Sequence, residues 1–336
     1  MSIKRHNDIV VSSRVRLARN IADTPFIVDE KSGSMQKLAG SIHASLGGER
    51  GGYALYNGVN LSILDGKVLK EKRLISEDFL ANTDISSLIL NEAETISIMI
   101  GEEDHIRLQC ILEGANLKEA FRLANQADDL IAQKVQIAFS ERLGYLTACP
   151  TNLGTGLRAS ALMFLPALSI FNSLSNCVNA IARHNMAIRG VYGEGSDSTG
   201  YLYQLSNQLT LGLTEEEILQ SVEDSVAKIS DTELKARELL INEGGSAIRD
   251  KIGRAYGTLL YAYTLESSEF MQAIAMVKLG IYYGFIKCSD YKLLEKLIID
   301  AQPASLQSLS AKELSTSERD EFRAKHVAKV LRAISK

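Results

Sequence analysis

The fold class this sequence predicts is α+β: an antiparallel sheet flanked by helices, followed by a smaller all-helical region. Two observations carry that expectation. Between Ile96 and Leu112 apolar and polar residues alternate with the period of two that a half-buried strand requires. Beyond about Leu213 the apolar spacing turns helical and stays so to the end of the chain. No Pro/Gly-rich linker marks the junction, which we set at 220/221, giving a mixed domain over 1–220 and a helical domain over 221–336.

Each element follows from its local pattern. Arg14 and Arg16 in Val10-Val11-Ser12-Ser13-Arg14-Val15-Arg16 have strand spacing and project from one face. Ile96, Ile98 and Ile100 alternate with Ser97 and Met99. After an acidic turn, Ile106, Leu108, Cys110 and Leu112 alternate with Arg107 and Gln109, so the two runs read as neighbouring antiparallel strands. Leu117, Phe121, Ala124, Leu130, Ile131 and Val135 predict one helix from Asn116 to Phe139, laid on the sheet. Gly144 to Cys149 reads as a further strand that enters a Gly-rich loop, with Arg158 at the start of a helix. Thr214 followed by Glu215, Glu216 and Glu217 is a capped helix start.

Composition narrows the function. With 336 residues, 46% apolar and 23% charged, the chain can bury two cores. Met1 to Arg19 lacks the succession of a signal peptide, and apolar runs such as Ala161 to Phe171 are too short to cross a bilayer, so a cytoplasmic, membrane-free protein is expected. A formal charge of −4 gives no reason to expect nucleic acid. The four cysteines and five histidines are scattered, which argues against a zinc site or a disulfide framework. A mildly acidic chain must concentrate its arginines locally to hold a nucleotide.

Four segments place polar groups where chemistry can use them. Arg14 and Arg16 form a two-fork phosphate clamp, or else a solvated strand edge. Gly101-Glu102-Glu103-Asp104-His105-Ile106-Arg107 is an acidic turn with an arginine on the strand behind it. Cys149-Pro150-Thr151-Asn152-Leu153-Gly154-Thr155-Gly156-Leu157-Arg158 joins a thiol, open backbone N–H groups and an arginine. Arg189-Gly190-Val191-Tyr192-Gly193-Glu194-Gly195 is a glycine-flanked carboxylate in a loop able to close over a substrate, or equally a flexible hairpin connection. No G-x-x-x-x-G-K-[ST] loop and no H-R-D or D-F-G set is present, so a nucleotide would be gripped by other means.

In this order the four segments resemble the ATP:guanidino phosphotransferases, which include creatine and arginine kinases and the bacterial protein-arginine kinases of the McsB type. That family carries S-x-R-x-R, N-E-E-D-H, C-P-[ST]-N-[IL]-G-T and R-G-x-x-G-E, and the likeness runs from about Val10 to Leu213. The resemblance implies a glutamine-synthetase-like catalytic domain. It implies that Arg14, Arg16, Arg107, Arg158 and Arg189 grip ATP phosphates and that Ser12 helps position the nucleotide. Glu103 and Glu194 would hold the target guanidinium and Cys149 would touch its reacting edge, with Mg²⁺ held mainly by ATP oxygens and water and no protein ligand assigned to it. Gly101 departs from the pattern, since the family usually has Asn there.

The resemblance also bears on the acceptor. Phosphagen kinases have a helical domain before the S-x-R-x-R strand and a nucleotide-side His where this chain has Leu162. Here that strand begins within the first fifteen residues, and the helical region follows instead, as in McsB-type kinases. Arg319-Asp320-Glu321-Phe322-Arg323-Ala324 matches the R-D-x-x-R-A motif associated with phosphoarginine binding; four apart on a helix, Arg319 and Arg323 share a face, where they are otherwise a solvated basic stripe. The implied activity is a protein-arginine kinase. Its implied partners are proteins with exposed arginine, a Clp-type unfoldase reading the mark, a zinc-binding activator protein and a second copy of the chain. A kinase of free arginine, and a catalytically silent phosphoarginine adaptor, are the competing readings.

Overall fold

Strand β1 (Val10–Arg19) runs through the middle of an antiparallel sheet, paired with β5 (Ile106–Glu113) on one side and β8 (Leu157–Phe164) on the other. The computed structural model describes residues 8–26, 33–182, 185–191 and 198–335. Outward from β5 lie β4 (Ile96–Ile100), β3 (Ser87–Asn91) and β2 (Tyr53–Asn57); outward from β8 lie β10 (Leu202–Asn207) and then β9 (Met186–Gly190). A separate ribbon pairs β6 (Phe139–Ser140) with β7 (Gly144–Tyr145).

The two faces of this sheet differ in chemistry, and that difference fixes where everything else goes. Val15 and Leu17 on β1, Leu108 and Cys110 on β5, and Ala159 and Ala161 on β8 are buried on one face. Small residues at Ala120, Ala124 and Ala127 let the helix Leu117–Ala132 approach it closely. In chain order the helices are α1 (Ser34–Ser45), α2 (Ile63–Glu71), α3 (Glu77–Ala81), α4 (Leu117–Ala132), α5 (Pro166–Ile170), α6 (Leu174–Ala182), α7 (Glu215–Tyr261), α8 (Ser267–Tyr282), α9 (Tyr291–Asp300), α10 (Pro303–Ser308) and α11 (Thr316–Ile334). With α4, the first half of α7 covers the apolar face, and each fully buried Leu or Ile there is worth about 1.5–3 kcal/mol. On the opposite face, a second cluster of Leu74, Ile75, Phe79, Leu88, Leu90 and Met99 seats α2 and α3 at one end of the sheet.

The paired strands at Ile96–Ile100 and Ile106–Glu113 and the capping box of Thr214 with Glu217 agree with expectation. Three local expectations do not hold. Helix α4 stops at Ala132 rather than Phe139, because Gln136 O accepts the Ala22 N–H at 2.9 Å and Ile137 bridges Ile21, which needs extended chain. The strand expected over Gly144 to Cys149 survives only as Gly144–Tyr145, since Ala148 N–H turns to the Asp104 carboxylate at 2.6 Å. Arg158 lies in strand β8, not at a helix start: two neighbouring strands claim the backbone of Leu157–Phe164. Helix α7 crosses the 220/221 junction unbroken, so both regions share it. Among the described residues no helix is long and apolar enough to cross a membrane.

Candidate active site

Alternation along β1 sends Arg14 and Arg16 to the face opposite Val15 and Leu17. Register then collects the rest. Arg16 lies directly across from Arg158 on β8, Arg107 on β5 lies across from Ala18, and Arg189 on β9 lies across from Gln204 on β10. Gln204 Oε1 accepts a 2.8 Å hydrogen bond from Arg14 Nη2. All five arginines anticipated from sequence therefore share one face, spread over four strands.

Their electrostatics call for an anion. The Nε atoms of Arg14, Arg16 and Arg158 are buried without a hydrogen-bond partner, an arrangement that is rare unless a ligand supplies the acceptor. Burial holds the Arg14 and Arg16 guanidinium groups well below their ordinary pKa. For Arg14 the charges of Arg16, Arg73, Arg107 and Arg158 act in the same direction. Arg158 is lowered as well, by burial and by Arg189 and Arg107, with Cys149 and Glu103 opposing. Cations crowded so closely are relieved by a polyphosphate.

A cavity of about 340 Å³ opens over this face, lined by Arg16, Arg107, Arg158, Cys149, Ser76 and Glu103 among others. The turn before β5 has a division of labour that its sequence hides. Buried Glu102 pairs with Arg107, accepts the Ser76 hydroxyl, and takes the Glu103 N–H at 3.1 Å, which fixes the turn and leaves the Glu103 side chain exposed at the cavity. Asp104 is also buried. It accepts from Asn20 Nδ2 (2.7 Å), Ala148 N–H (2.6 Å) and Asn152 Nδ2 (3.3 Å), so it ties this turn to the loop that carries Cys149.

Gly101 closes the turn at φ 75°, its N–H bonded to His105 O at 3.0 Å. Only Gly and, next, Asn adopt that left-handed conformation readily, so the departure from the family's Asn preserves the backbone geometry. The Gly-rich loop is equally constrained. A Cβ on Gly154 would lie 2.4 Å from Thr210 O, and one on Gly156 2.6 Å from Ala18 O. Cys149, half-buried, sits 3.0 Å from Thr151 Oγ1 at the cavity's edge. Ser12 is buried beside Arg14, past a bulge in β1. Glu194 lies outside the described residues.

Two contributors, Arg73 and Arg19, escape the sequence reading. Arg73, at a left-handed φ of 65°, donates from Nη1 to Ser12 Oγ at 3.3 Å and so adds a sixth guanidinium. Arg19 points to the opposite face, where it pairs with Asp128 at 2.8 Å, donates to Thr155 O and stacks 3.5 Å above the Tyr145 ring, anchoring the Gly-rich loop to β1 and α4. Alternation alone could have assigned Arg19 to the apolar side; its partners could not be read.

In the helical region, Arg319 and Arg323 are both on α11 but differ in environment. Arg323 is buried, donating to Ala301 O (2.9 Å), Leu265 O (2.7 Å) and Asp320 Oδ1 (2.5 Å), with Ala324 buried next to it. Arg319 is half-buried and its Nε lacks a partner. Two equally free forks, as the helix spacing suggests, are therefore not what the fold presents.

Comparison with known proteins bears on the same site. Residues 34–236 match the model of the ATP:guanido phosphotransferase C-terminal catalytic domain, and residues 245–336 that of the protein-arginine kinase McsB C-terminal domain. A protein-arginine kinase of Caldanaerobacter subterraneus subsp. tengcongensis is 41% identical over 96% of this chain and 96% of its own. That of Clostridium kluyveri is 41% identical over 98% of this chain and 96% of its own. Among solved structures, lombricine kinase superposes with a TM-score of 0.60 at 27% identity, covering 71% of this chain and 69% of that one. The duplicated taurocyamine kinase of Schistosoma mansoni gives 0.62 at 27% identity, over 71% of this chain and 35% of that one. With an arginine face, an acidic turn and a Cys149 loop gathered at one cavity, and with both family models matched, the chain belongs to the ATP:guanido phosphotransferase family, in the group that carries the McsB C-terminal domain.

Proposed function

We propose that this chain transfers the γ-phosphoryl group of ATP to arginine side chains of proteins. The observation that carries the reading is the gathering of five arginines on one sheet face with Glu103 and Cys149 at the rim of the same cavity. An arginine guanidinium is a poor nucleophile, protonated below a pKa of about 12 or more and delocalised. In this reading Glu103 orients it and accepts its proton, with Glu194 as the second carboxylate and Cys149 adding negative character beside it. Arg14, Arg16, Arg107, Arg158 and Arg189 stabilise charge spread over the transferring phosphoryl oxygens, and Arg73 and Ser12 extend that grip.

Magnesium enters as part of the nucleotide. Two of the cavity's carboxylates are already spent, Glu102 on Arg107 and Ser76, and Asp104 on Asn20, Ala148 and Asn152. Among the described residues no group of three acidic, His or Cys side chains could hold a metal ion. In this reading the magnesium ion arrives on ATP, held mainly by its oxygens and by water.

Protein arginine is favoured over free arginine by the match of residues 245–336 to the McsB C-terminal domain and by the protein-arginine kinase relatives at 41% identity. We assign Arg319, Asp320, Arg323 and Ala324 to phosphoarginine recognition, with Arg319 supplying the freer fork. The test is ADP formation with Mg·ATP and either casein or free arginine as acceptor. The expected result is acid-labile phosphate on casein; turnover with free arginine alone overturns the choice of acceptor.

A further inference from the structure

Helix α2 ends in Glu71, whose carboxylate reaches across 233 positions of sequence to the C-terminal helices. It accepts the backbone N–H of Ala304 (2.7 Å), the N–H of Ser305 (2.7 Å) and the Ser305 hydroxyl (2.7 Å). These groups open α10. Pro303 at its first position has no N–H, and Gln302, its N-cap residue, provides no side-chain cap, so Glu71 performs in trans the capping that α10 lacks locally. Charge-assisted bonds of this kind are short and directional.

Two residues past Glu71 the chain turns sharply into the arginine face. Lys72 N–H closes α2 on Val68 O, and Arg73 takes its left-handed φ of 65° with its N–H on Lys70 O at 2.8 Å. Gln109, on the arginine face of β5, donates to Arg73 O at 2.9 Å, and Arg73 Nη1 donates to Ser12 Oγ. The far side of the Ala301–Ser305 segment is held by Arg323, through Ala301 O. One short segment therefore joins α11, α10 and α2, and α2 leads directly into Arg73.

We propose that Glu71 is a positioning residue for the nucleotide: by tying the end of α2 to the C-terminal helices it fixes the Lys72–Arg73 turn and so holds the Arg73 guanidinium on the phosphate-binding face. The proposal rests on the reading of that face as the ATP site. Removing the carboxylate leaves the site residues intact but lets the turn relax, so the loss falls on the nucleotide and not on the acceptor.

The test compares the full-length wild type with Glu71→Ala, Glu71→Gln, Ser305→Ala, Arg73→Ala and the Glu71→Ala/Arg73→Ala double variant. Read out are KM for ATP, KM for casein and the thermal midpoint. Glu71→Ala is expected to raise KM for ATP on the order of fivefold, the size of coupling found within one bonded network, with KM for casein unmoved. Glu71→Gln and Ser305→Ala, which keep part of the bonding, give smaller shifts in the same direction and remain informative if Glu71→Ala does not fold. Arg73→Ala raises KM for ATP, and adding Glu71→Ala to it raises it no further. A lowered thermal midpoint with unchanged KM for ATP makes Glu71 merely structural and overturns the proposal. Independent, multiplying effects of the two substitutions overturn it also, as does an Arg73→Ala variant with normal KM. In each of these cases wild-type turnover of ATP leaves the kinase reading standing, whereas a wild type without saturable ATP dependence removes both.

Discussion

Gly101 shows how a single backbone angle can outweigh a side-chain mismatch. At φ 75° Asn is the side chain that tolerates the backbone angle best; any Cβ, that of Asn included, lies 3.2 Å from Met35 Cγ at the end of a flexible side chain, and a branched residue adds the full left-handed penalty. Gly101→Asn is expected to change stability by less than about 1 kcal/mol, and Gly101→Val to cost more than about 2 kcal/mol; urea unfolding of the two variants checks this. Glu103→Gln removes the exposed carboxylate and is expected to lower kcat about 100-fold or more at unchanged fold, read by casein phosphorylation. The two adjacent glutamates look interchangeable in sequence. They are separated only by Arg107 and Ser76, which draw Glu102 inward, and neither partnership can be read without the fold. The arginines were more legible, because strand spacing states which face a side chain takes; Arg73, sitting in a turn, obeys no such period.

Elements position the site through bonds that lie beneath it. His105 is buried directly under the acidic turn, its Nδ1 accepting the Ile21 N–H (3.1 Å) and its Nε2 facing Pro25 O (3.0 Å), which fits the neutral ring with the proton on Nε2. Burial lowers its pKa from 6.5, against the Pro25 carbonyl and Asp104. As pH falls below 6.5 the unfolded chain therefore takes up a proton that the folded chain refuses, so the stability present above pH 6.5 is lost below it. A His105→Gln variant is expected to show a flatter fall of thermal midpoint over that acid range; the contribution of His326, also lowered by burial, stays in both proteins. On the other face, Arg19 and Asp128 form a buried pair whose side chains are 1% and 8% exposed. Asp128→Ala leaves the guanidinium uncompensated and is expected to cost about 3–5 kcal/mol, measurable by urea unfolding. The sheet strands were readable from alternation, but where helix α4 ends and whether Arg158 is in a strand depend on pairing with distant segments. Local periodicity contains no record of those partners.

At the scale of the whole molecule, one sheet has two differing faces: an apolar face that builds the core with α4 and α7, and a cationic face whose charge suits phosphate. The unbroken α7 and the Glu71 bridge make the helical region a part of that machine and not an appendage. The motif at Arg319–Ala324 places both arginines on α11, yet burial of Arg323 against Ala301 O and Leu265 O was invisible in a four-residue spacing. Whether the cationic face serves transfer to arginine on protein is tested most directly by the ³¹P NMR spectrum of casein after incubation with the enzyme and Mg·ATP. The expected spectrum contains a phosphoramidate resonance on arginine that disappears on mild acid treatment. Acid-stable phosphate on hydroxyl side chains, or no phosphate on casein while ATP is consumed, would contradict it.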